Sequence, residues 1–353
     1  MSEAVAYLNE VAKKPSAWMV AEGPLSHTVI SSRIRLARNL SGHRFCQRAK
    51  SDELETIAQK VIGAIGRAPS FTNSKVIQME ETTALDRGLL LERHLISQEH
   101  AKGGKARVVI ISDTEMSGIM VNEEDHIRMQ CIYPGFSLQE AWSCINKADT
   151  ELDSELLYAF TPEWGYLTAC PTNVGTGIRA SVMLHLPALG ITKQIEHMLQ
   201  QVSQAGLAIR GLYGEGSDSL GDLYQFSNQI TLGQNEEELI STIEKYVKQI
   251  IGKEQNSRKQ LVKEARVKAE DVVYRAYGII SNARLINSRE AMRLLSHLRL
   301  GVNYGWIDMT YAKLNEIMLL IQPAHLQKSI GKELDDVQRD ILRAEIIRMK
   351  LGH

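Results

Sequence analysis

The chain has 353 residues, of which 44% are hydrophobic and 24% charged, as in an ordinary globular protein of two or more domains. Its formal net charge of -1 gives no overall field that would draw it to nucleic acid or to a membrane. No apolar run is long enough to span a bilayer, and the start MSEAVAYLNEVAKKPSAW lacks the apolar core of a signal peptide. We therefore expect a cytoplasmic protein that binds neither nucleic acid nor membrane and keeps its cysteines reduced.

Strand-like and helical segments alternate from about residue 25 to about residue 235. Helices are predicted over 51–66, 137–156 and 191–204 from their apolar periodicity. The strand-like runs are apolar or alternating, and several are β-branched and bounded by Gly, Pro or Asn: VISSRIRLARNL (29–40), KVIQM (75–79), ARVVIIS (106–112), GIMVN (118–122), HIRMQCIYPG (126–135), IRASVMLHL (178–186), GLAIRGLYG (206–214) and LYQFSNQITL (223–232). The close spacing of the third, fourth and fifth runs indicates an antiparallel meander. This half is therefore predicted to be α+β, with one large, mainly antiparallel sheet flanked by helices.

The chain after about residue 235 has a helical period and mixed charges, and no strand pattern recurs there. Asn235 is the predicted N-cap of its first helix, and Ser137 with Glu140 predicts a capping box at the start of an earlier one. We predict two domains, an α+β domain over residues 1–255 and an all-helical domain over 256–353.

Arginines recur at the ends of the predicted strands. Arg33 and Arg35 share one face of a strand whose other face is apolar, although like charges so close repel. Arg128, Arg179 and Arg210 lie at the ends of three further strands. Arginine keeps its charge and matches phosphate oxygens with two hydrogen bonds, so five on one sheet face would clamp a triphosphate. The alternative is that each is a surface arginine paired with an acid.

Several common motifs are absent from the sequence. It has neither the GxxxxGK[ST] phosphate loop nor the HRD and DFG motifs of the usual protein-kinase fold. Its four cysteines have no metal-binding spacing. Phosphate binding would therefore rest on arginine side chains.

Four stretches in order, SSRIRLAR, NEEDHIR, CPTNVGTGIRAS and RG..GE, resemble the catalytic domain of phosphagen (guanidino) kinases such as creatine and arginine kinases. This resemblance covers roughly residues 20–240. Guanidino kinases carry a small helical domain before it, which helps to confine a small guanidine, whereas only residues 1–25 precede SHTVISSRIR here. A helical extension of about 100 residues follows. Both departures resemble the bacterial protein arginine kinases, and with that family the resemblance covers the whole chain.

The resemblance implies a role for each matching residue. It implies that the nucleotide phosphates are held by Arg33, Arg35, Arg128, Arg179 and Arg210. Glu124 and Glu215 would hold the substrate guanidinium, with Cys170 against it as a thiolate. The implied cofactors are ATP and Mg²⁺, and the metal would be held mainly by nucleotide oxygens and water, so no protein ligand is assigned. The family's nucleotide-contacting His has no clear match.

The chemistry accounts for these residue types. An arginine side chain is protonated at ordinary pH and is a poor nucleophile until it loses a proton. Two carboxylates can orient its planar fork, and one can accept the proton as the N–P bond forms. The alternatives are solvated loop acids at Glu124 and Glu215 and a small buried hydrophobe at Cys170. Asp125 is either a supporting partner or a turn residue, and His126 either contacts nucleotide or fills a strand end.

RDILRA, in the helical extension, places Arg339 and Arg343 four residues apart on one helix face, where like charges are mildly destabilising. It resembles the RDxxRA element of protein arginine kinases. That resemblance implies an allosteric phosphoarginine site, with the arginines on the phosphate and Asp340 on the guanidinium. The alternative is a plain pair between Asp340 and Arg343 on a solvated face.

The leading hypothesis is an ATP-dependent protein arginine kinase of bacterial stress response and protein quality control. The alternatives are a kinase of a small free guanidine and a non-catalytic phosphoarginine-binding adaptor. A nucleic-acid-binding protein fits poorly with the near-zero net charge. The resemblance also implies partners: a heat-shock transcription repressor as substrate, a zinc-binding activator protein, a Clp-type protease downstream and a second copy of the chain in a homodimer.

Overall fold

A computed structural model describes residues 3–20, 22–211 and 220–352 of the chain. Its centre is an eight-stranded sheet in which every neighbouring pair of strands is antiparallel. The strands are β1 Val29–Arg38, β2 Lys75–Gln78, β3 Val108–Ile111, β4 Ser117–Val121, β5 Ile127–Pro134, β6 Phe160–Thr161, β7 Gly165–Tyr166, β8 Ile178–His185, β9 Leu207–Gly211 and β10 Leu223–Asn228. The order across the sheet is β2-β3-β4-β5-β1-β8-β10-β9, and β6 pairs with β7 in a separate hairpin. The predicted α+β class, antiparallel sheet and β3-β4-β5 meander are confirmed.

Helices pack on both faces of the sheet and are joined to the strands by loops and short 3₁₀ turns. They are α1 Glu3–Val11, α2 Ala17–Val20, α3 Ser51–Ile65, α4 Ala84–Glu92, α5 Leu138–Asp153, α6 Pro187–Ile191, α7 Ile195–Gln204, α8 Glu236–Asn282, α9 Ser288–Asn303, α10 Tyr311–Leu320, α11 Pro323–Ile330 and α12 Asp336–Leu351. The helix predicted over 191–204 is divided between α6 and α7, because Lys193 has a φ of 58° that an α-helix cannot contain. The predicted capping box at Ser137 is wrong, since its Oγ donates to the carbonyl oxygen of Pro134 at 3.0 Å.

The two faces of the sheet differ in chemistry. One face is apolar throughout its centre and packs on α3, α5, α7 and the first part of α8; its residues include Ile34, Leu36, Met129, Cys131, Ile178, Ala180, Val182 and Phe226. The opposite face is apolar only towards its two ends. Near one end, Ile132, Met183 and Leu223 pack on α2, α9 and α10. Near the other, Ile77, Val109 and Met120 pack with α1, α4 and Ala324. The middle of this face is left for polar side chains.

The helical region begins at α8, and α9 to α12 follow it without a further strand in the described chain. Asn235 is the N-cap of α8, as predicted, and its side chain accepts from the backbone N–H of Glu238 at 2.8 Å. The predicted boundary at residue 255 lies inside α8. This helix is 47 residues long and has non-helical backbone dihedral angles at Ala265. A buried ion pair crosses that boundary, with Arg258 Nε 2.7 Å from Glu254 Oε1. Within the described chain, every helix is too short or too polar to cross a membrane.

Candidate active site

Strand register places all five predicted arginines on the same face of the sheet, because directly opposed residues in an antiparallel pair share a face. Arg35 on β1 lies opposite Arg179 on β8, and Ala37 lies opposite Arg128 on β5. Arg33 is two residues from Arg35 on β1 and therefore points the same way.

Arg210 joins this face through two further pairings. It lies opposite Gln225 on β10, and Gln225 lies opposite Met183, which is on the same face of β8 as Arg179. We call Arg33, Arg35, Arg128, Arg179 and Arg210 the arginine cluster. The structure thus brings together all the residues for which phosphate binding was predicted.

Two members of the arginine cluster, Arg33 and Arg35, are destabilised by burial and by the like charges around them. Burial, and then the charges of Arg128, Arg179 and Arg210, lower the pKa of Arg33 to about 10. Burial and the same neighbours, with Arg33, hold the pKa of Arg35 well below its ordinary value. Neither Arg33 nor Arg35 has a carboxylate partner among the described residues, and Nε of Arg35 is buried without an acceptor there. Guanidinium groups stay charged at neutral pH, so a polyanion bound here would relieve the repulsion.

A sixth arginine on the same strand has a different environment. Arg38 lies on the opposite face of β1, almost fully buried, with Nη2 2.6 Å from Asp149 Oδ2. Its guanidinium also stacks over the Tyr166 ring, 3.5 Å from the centroid. Arg38 is therefore fully satisfied within the protein.

Glu123 and Glu124 border the arginine cluster but have different surroundings. Arg128 Nη1 is 2.5 Å from Glu123 Oε2 and 3.6 Å from Glu124 Oε2. Burial acts to raise the pKa of Glu123, but Arg128 and the Ser97 hydroxyl outweigh it, and the pKa is lowered. The pKa of Glu124 is raised, mainly by burial and then by Asp125 and Glu123, against the effect of Arg128. Glu124 is thus a partly exposed carboxylate with raised basicity.

Glu123 is a residue of this site whose structural role the sequence reasoning missed. Its carboxylate fixes Arg128 and also accepts from the backbone N–H of Glu124 at 2.8 Å, so it orients both neighbours. Asn122, just before it, has a φ of 56°, and its side-chain amide donates to the carbonyl oxygens of Leu54 and Ala106. The repeated acids in NEEDH were the available signal, but only this turn decides which glutamate points inward.

Asp125 and His126 hold this turn to its neighbours. Asp125 Oδ1 accepts from the Asn39 side chain and from the backbone N–H of Ala169, both at 2.7 Å. His126 Nδ1 accepts from the backbone N–H of Leu40 at 3.0 Å, and its Nε2 donates to the carbonyl oxygen of Arg44 at 2.8 Å. Both ring nitrogens of His126 are occupied, so the structure favours the interpretation that His126 fills a strand end and that Asp125 is a supporting partner.

Cys170 lies on the segment that Asp125 anchors. It precedes a single 3₁₀ turn, Pro171–Asn173, and its Sγ is 3.0 Å from the Thr172 hydroxyl. The segment then packs closely on β1, since a Cβ at Gly177 (φ 65°) would come within 2.6 Å of the Ala37 carbonyl oxygen. Cys170 is half-buried beside the turn that carries Glu124. Glu215, the second predicted carboxylate, lies outside the described residues.

A groove of about 520 Å³ opens beside Glu124. Its lining contains side chains of both charges, namely Glu99, Lys105, Arg107, Glu123, Glu124 and Arg128, together with the neutral Gln47. Gln47 reaches across the opening and donates to the Glu124 carbonyl oxygen at 3.1 Å. No group of three or more His, Cys, Asp or Glu side chains that could hold a metal ion occurs in the described ranges.

The RDILRA stretch lies on α12, far along the chain from the arginine cluster and Glu124. Arg343 is almost fully buried and donates to the carbonyl oxygens of Ile286 at 2.9 Å and Ile321 at 3.0 Å, and it pairs with Asp340. Arg339 donates to the Leu334 carbonyl oxygen at 2.6 Å. The Asp340–Arg343 pair therefore exists, but its arginine is buried, whereas the alternative interpretation placed it on a solvated face.

Comparison with known proteins covers nearly the whole chain. Residues 56–257 match the family described as "ATP:guanido phosphotransferase, C-terminal catalytic domain", and residues 266–353 match the "Protein-arginine kinase McsB C-terminal domain". The protein-arginine kinase of Halothermothrix orenii is 46% identical over 341 residues, covering 96% of this chain and 97% of that protein. The protein-arginine kinase of Symbiobacterium thermophilum is 46% identical over 346 residues, covering 97% and 98%.

Solved structures agree on the fold. The duplicated taurocyamine kinase from Schistosoma mansoni, with bound transition state analog components, superposes with a TM-score of 0.60 at 23% identity, covering 69% of this chain and 36% of that chain. Lombricine kinase superposes with a TM-score of 0.59 at 23% identity, covering 71% and 76%. The sheet is thus that of the guanidino kinases, and the identity and coverage of the relatives show that this chain belongs to the protein-arginine kinase family.

Proposed function

We propose that this protein transfers the γ-phosphoryl group of ATP to the guanidinium group of arginine side chains in proteins. One observation carries the proposal above the others. Five arginines share one face of the sheet next to the partly exposed carboxylate of Glu124, in a chain that is 46% identical to protein-arginine kinases. The family membership supports ATP as the phosphoryl donor.

The arginine cluster is proposed to hold the triphosphate. Its guanidinium groups would stabilise the charge on the phosphate oxygens both before and during transfer, because they are already fixed on neighbouring strands. Mg²⁺ would supply further charge neutralisation together with the nucleotide. Since Glu123 is already engaged by Arg128 and Ser97, we assign the metal no protein ligand.

Glu124 is proposed to be the base. A carboxylate of raised pKa accepts a proton more readily at neutral pH than an ordinary one, and Glu124 lies at the edge of the arginine cluster. The substrate guanidinium would pass one N–H proton to Glu124, and the nitrogen lone pair would form the bond to the γ-phosphorus. The bond between this phosphorus and the bridging oxygen would break, and ADP would leave. Cys170 and Glu215 are proposed to orient the guanidinium. For Glu215, this proposal is supported only by the sequence motif in which it lies.

An exposed apolar surface next to Cys170 favours a protein substrate over a free guanidine. We call Phe160, Trp164, Ile230 and Leu232 the hairpin surface; each is exposed by 45–59%. The hairpin surface is tied to the Cys170 segment, since the Thr231 hydroxyl donates to the Val174 carbonyl oxygen at 2.7 Å. Phe160, Trp164 and Leu232 line one open pocket, and contiguous exposed apolar groups usually mark a binding surface. An unfolded polypeptide would offer apolar side chains on either side of its arginine.

The helical region is proposed to regulate and assemble the enzyme. We propose domains at 1–255 for catalysis and 256–353 for dimerisation and phosphoarginine binding. Arg339, Asp340 and Arg343 would bind phosphoarginine, and Arg343 would exchange one of its carbonyl contacts for the phosphate. Val337 and Ile341, exposed and four residues apart on α12, are proposed to contact a second copy in a homodimer. The resemblance supports cytoplasmic work in stress response with a heat-shock repressor, a zinc-binding activator and a Clp-type protease.

The experiment that tests the proposal is incubation of the full chain with Mg-ATP and unfolded casein at neutral to mildly basic pH, followed by mass spectrometry. We expect phosphoarginine in casein with wild type and with the surface control Glu155→Gln, and none with Glu124→Gln. Free arginine is assayed in parallel. Product on free arginine alone would favour the small-guanidine kinase. No product, even with the activator present, would favour the non-catalytic adaptor.

The hairpin surface is tested separately with Trp164→Ser. We expect this variant to lower kcat/KM for casein about 10-fold, the effect of about 1.4 kcal/mol of lost contact, and to leave a short arginine peptide unaffected. Val267→Ser, at another exposed apolar position on α8, serves as the control. Equal kcat/KM values for casein in the two variants would contradict a role for the hairpin surface.

A further inference from the structure

Two cysteines outside the active site are unusually close together. Cys131 on β5 and Cys144 on α5 have their Sγ atoms 2.8 Å apart, on the apolar side of the sheet. That distance approaches the bonded S–S length of about 2.05 Å. All four cysteines of the chain are described, and all are free thiols. Cys46 and Cys170 each contact a non-cysteine side chain instead, at 3.9 and 3.0 Å.

The two thiols differ in reactivity. The hydrogen bond from Cys131 lowers the pKa of Cys144 to about 7, with smaller contributions from the Tyr133 hydroxyl and Lys147, against the effect of burial. The same hydrogen bond and burial raise the pKa of Cys131 well above its ordinary value. Cys144 is also partly exposed, whereas Cys131 is buried. Oxidation of cysteine begins at an accessible thiolate and proceeds to a neighbouring thiol. By contrast, burial raises the pKa of Cys46 to about 12.

We propose that Cys131 and Cys144 are a modification site, which a peroxide converts to a reversible intramolecular disulfide. The Cys144 thiolate would attack one oxygen of hydrogen peroxide, so that the O–O bond breaks and Cys144 becomes a sulfenic acid. Cys131 would then attack the Cys144 sulfur, forming the S–S bond while the S–O bond breaks and water leaves. In total, two thiols lose two protons and two electrons, and one peroxide becomes two waters.

The position of the pair determines what the disulfide would do. Cys131 points to the face of β5 opposite Arg128, because successive side chains of a strand alternate. The bond would join α5 to a central strand without entering the face that carries the arginine cluster. We therefore expect oxidation of this pair to raise the melting temperature by about 5 °C, while kinase activity is kept.

The test uses the full-length Cys170→Ser variant, which removes one of the two other partly exposed thiols and serves for chemistry only. The reduced protein is titrated with hydrogen peroxide, quenched with N-ethylmaleimide and digested with trypsin without reductant. Both cysteines fall in one tryptic peptide, residues 129–147, since no Lys or Arg lies between them. We expect this peptide to be two hydrogens lighter and unalkylated, and dithiothreitol to reverse the change. Dialkylated peptide at peroxide doses that oxidise Cys170 in wild type would overturn the proposal.

Variants and a second probe keep the test independent of folding effects. Cys131→Ala removes both the partner and the hydrogen bond that lowers the pKa of Cys144, so Cys144 should stay reduced and be alkylated, whereas Cys46→Ala should form the disulfide as wild type does. Because Cys131 lies in the core, the wild-type protein is also treated with phenylarsine oxide, which binds adjacent dithiols. Protection of both thiols from alkylation is the expected result. Full alkylation in the presence of the arsenical would contradict the pairing. Kinase activity is measured before and after oxidation of wild type, and its loss with Cys170 still reduced would refute the expected position of the bond.

Discussion

Arg35 and Arg38 lie three residues apart on β1 and differ in almost every respect except their chemistry. Arg38 is surrounded by Asp149 and two tyrosine rings, and its hydrogen bonds are made within the protein. Arg35 is surrounded by four other arginines. The comparison teaches that burial alone does not identify a functional arginine. The sign of the neighbouring charges does, because a cation among cations requires an anion from outside.

The largest expected effect comes from substituting Arg38, the arginine whose hydrogen bonds are made within the protein. Arg38→Met would leave Asp149 as an unpaired, buried carboxylate, so the free energy of unfolding should fall by about 3–5 kcal/mol. Urea denaturation measures it. Arg38→Met combined with Asp149→Leu should recover most of the loss, because both charges are then removed. A double variant no more stable than the single one would show that the pair is not what stabilises this side of β1.

The next largest effect is expected from substituting Arg35, the arginine that is surrounded by other arginines. Arg35→Ala should lower kcat for phosphoryl transfer about 100-fold or more, as loss of one charge-stabilising donor usually does. Its melting temperature should not fall below that of wild type, because the substitution relieves repulsion within the arginine cluster. Steady-state kinetics and calorimetry give the two numbers, with Arg44→Ala, outside the arginine cluster, as control. A variant that keeps wild-type kcat would remove Arg35 from the site.

Binding of inorganic tripolyphosphate tests whether the arginine cluster holds a triphosphate without the help of a nucleoside. Bound by the arginine cluster, it should stabilise wild type by about 2.7 kcal/mol at a concentration 100 times its Kd. The rise in melting temperature should be lost in Arg33→Ala and kept in Arg44→Ala. Potassium chloride at equal ionic strength separates site binding from screening. Equal stabilisation of all three proteins would point to nonspecific binding.

The pH dependence of catalysis gives the smallest effect. The pKa of Glu124 is raised above its ordinary value of 4.5. As the pH falls, the base should therefore become protonated, and activity should be lost, with a midpoint above pH 4.5. Below that point kcat/KM should fall tenfold per pH unit, about 1.4 kcal/mol. ADP release measures it, with circular dichroism at each pH to verify folding. An acid limb centred at or below pH 4.5 would exclude Glu124 as the base.

Much of the site was accessible from the sequence because strands alternate. The period of two placed Arg33 and Arg35 on one face, and the motif resemblance supplied Arg128, Arg179 and Arg210. That all five share that face depends on the pairing between strands that are distant in the sequence, such as β1 with β8 and β9 with β10. Long-range register is a tertiary property, so the alternation within single strands could not specify it.

Other features were decided by contacts far apart in the chain. Spacing predicted a shared helix face for Arg339 and Arg343, but carbonyl oxygens of Ile286 and Ile321 bury Arg343. Glu123 was passed over because two adjacent glutamates look alike until the turn at Asn122 separates them. Ser137 has the right neighbours for a capping box, yet the Pro134 carbonyl oxygen is the better-placed acceptor. In each case a tertiary partner outweighed a local preference.

The unbroken course of α8 has a consequence for recombination between relatives. A chimera joined at residue 255 would take Glu254 from one parent and Arg258 from the other. Glu254 also accepts from the backbone N–H groups of Ala188 and Leu189, while Arg258 donates to the carbonyl oxygens of His27 and His185. The residues that make these contacts should therefore come from the same parent. Crossovers placed after Asn282 would keep them together, and such chimeras should fold more often than those joined within the helix.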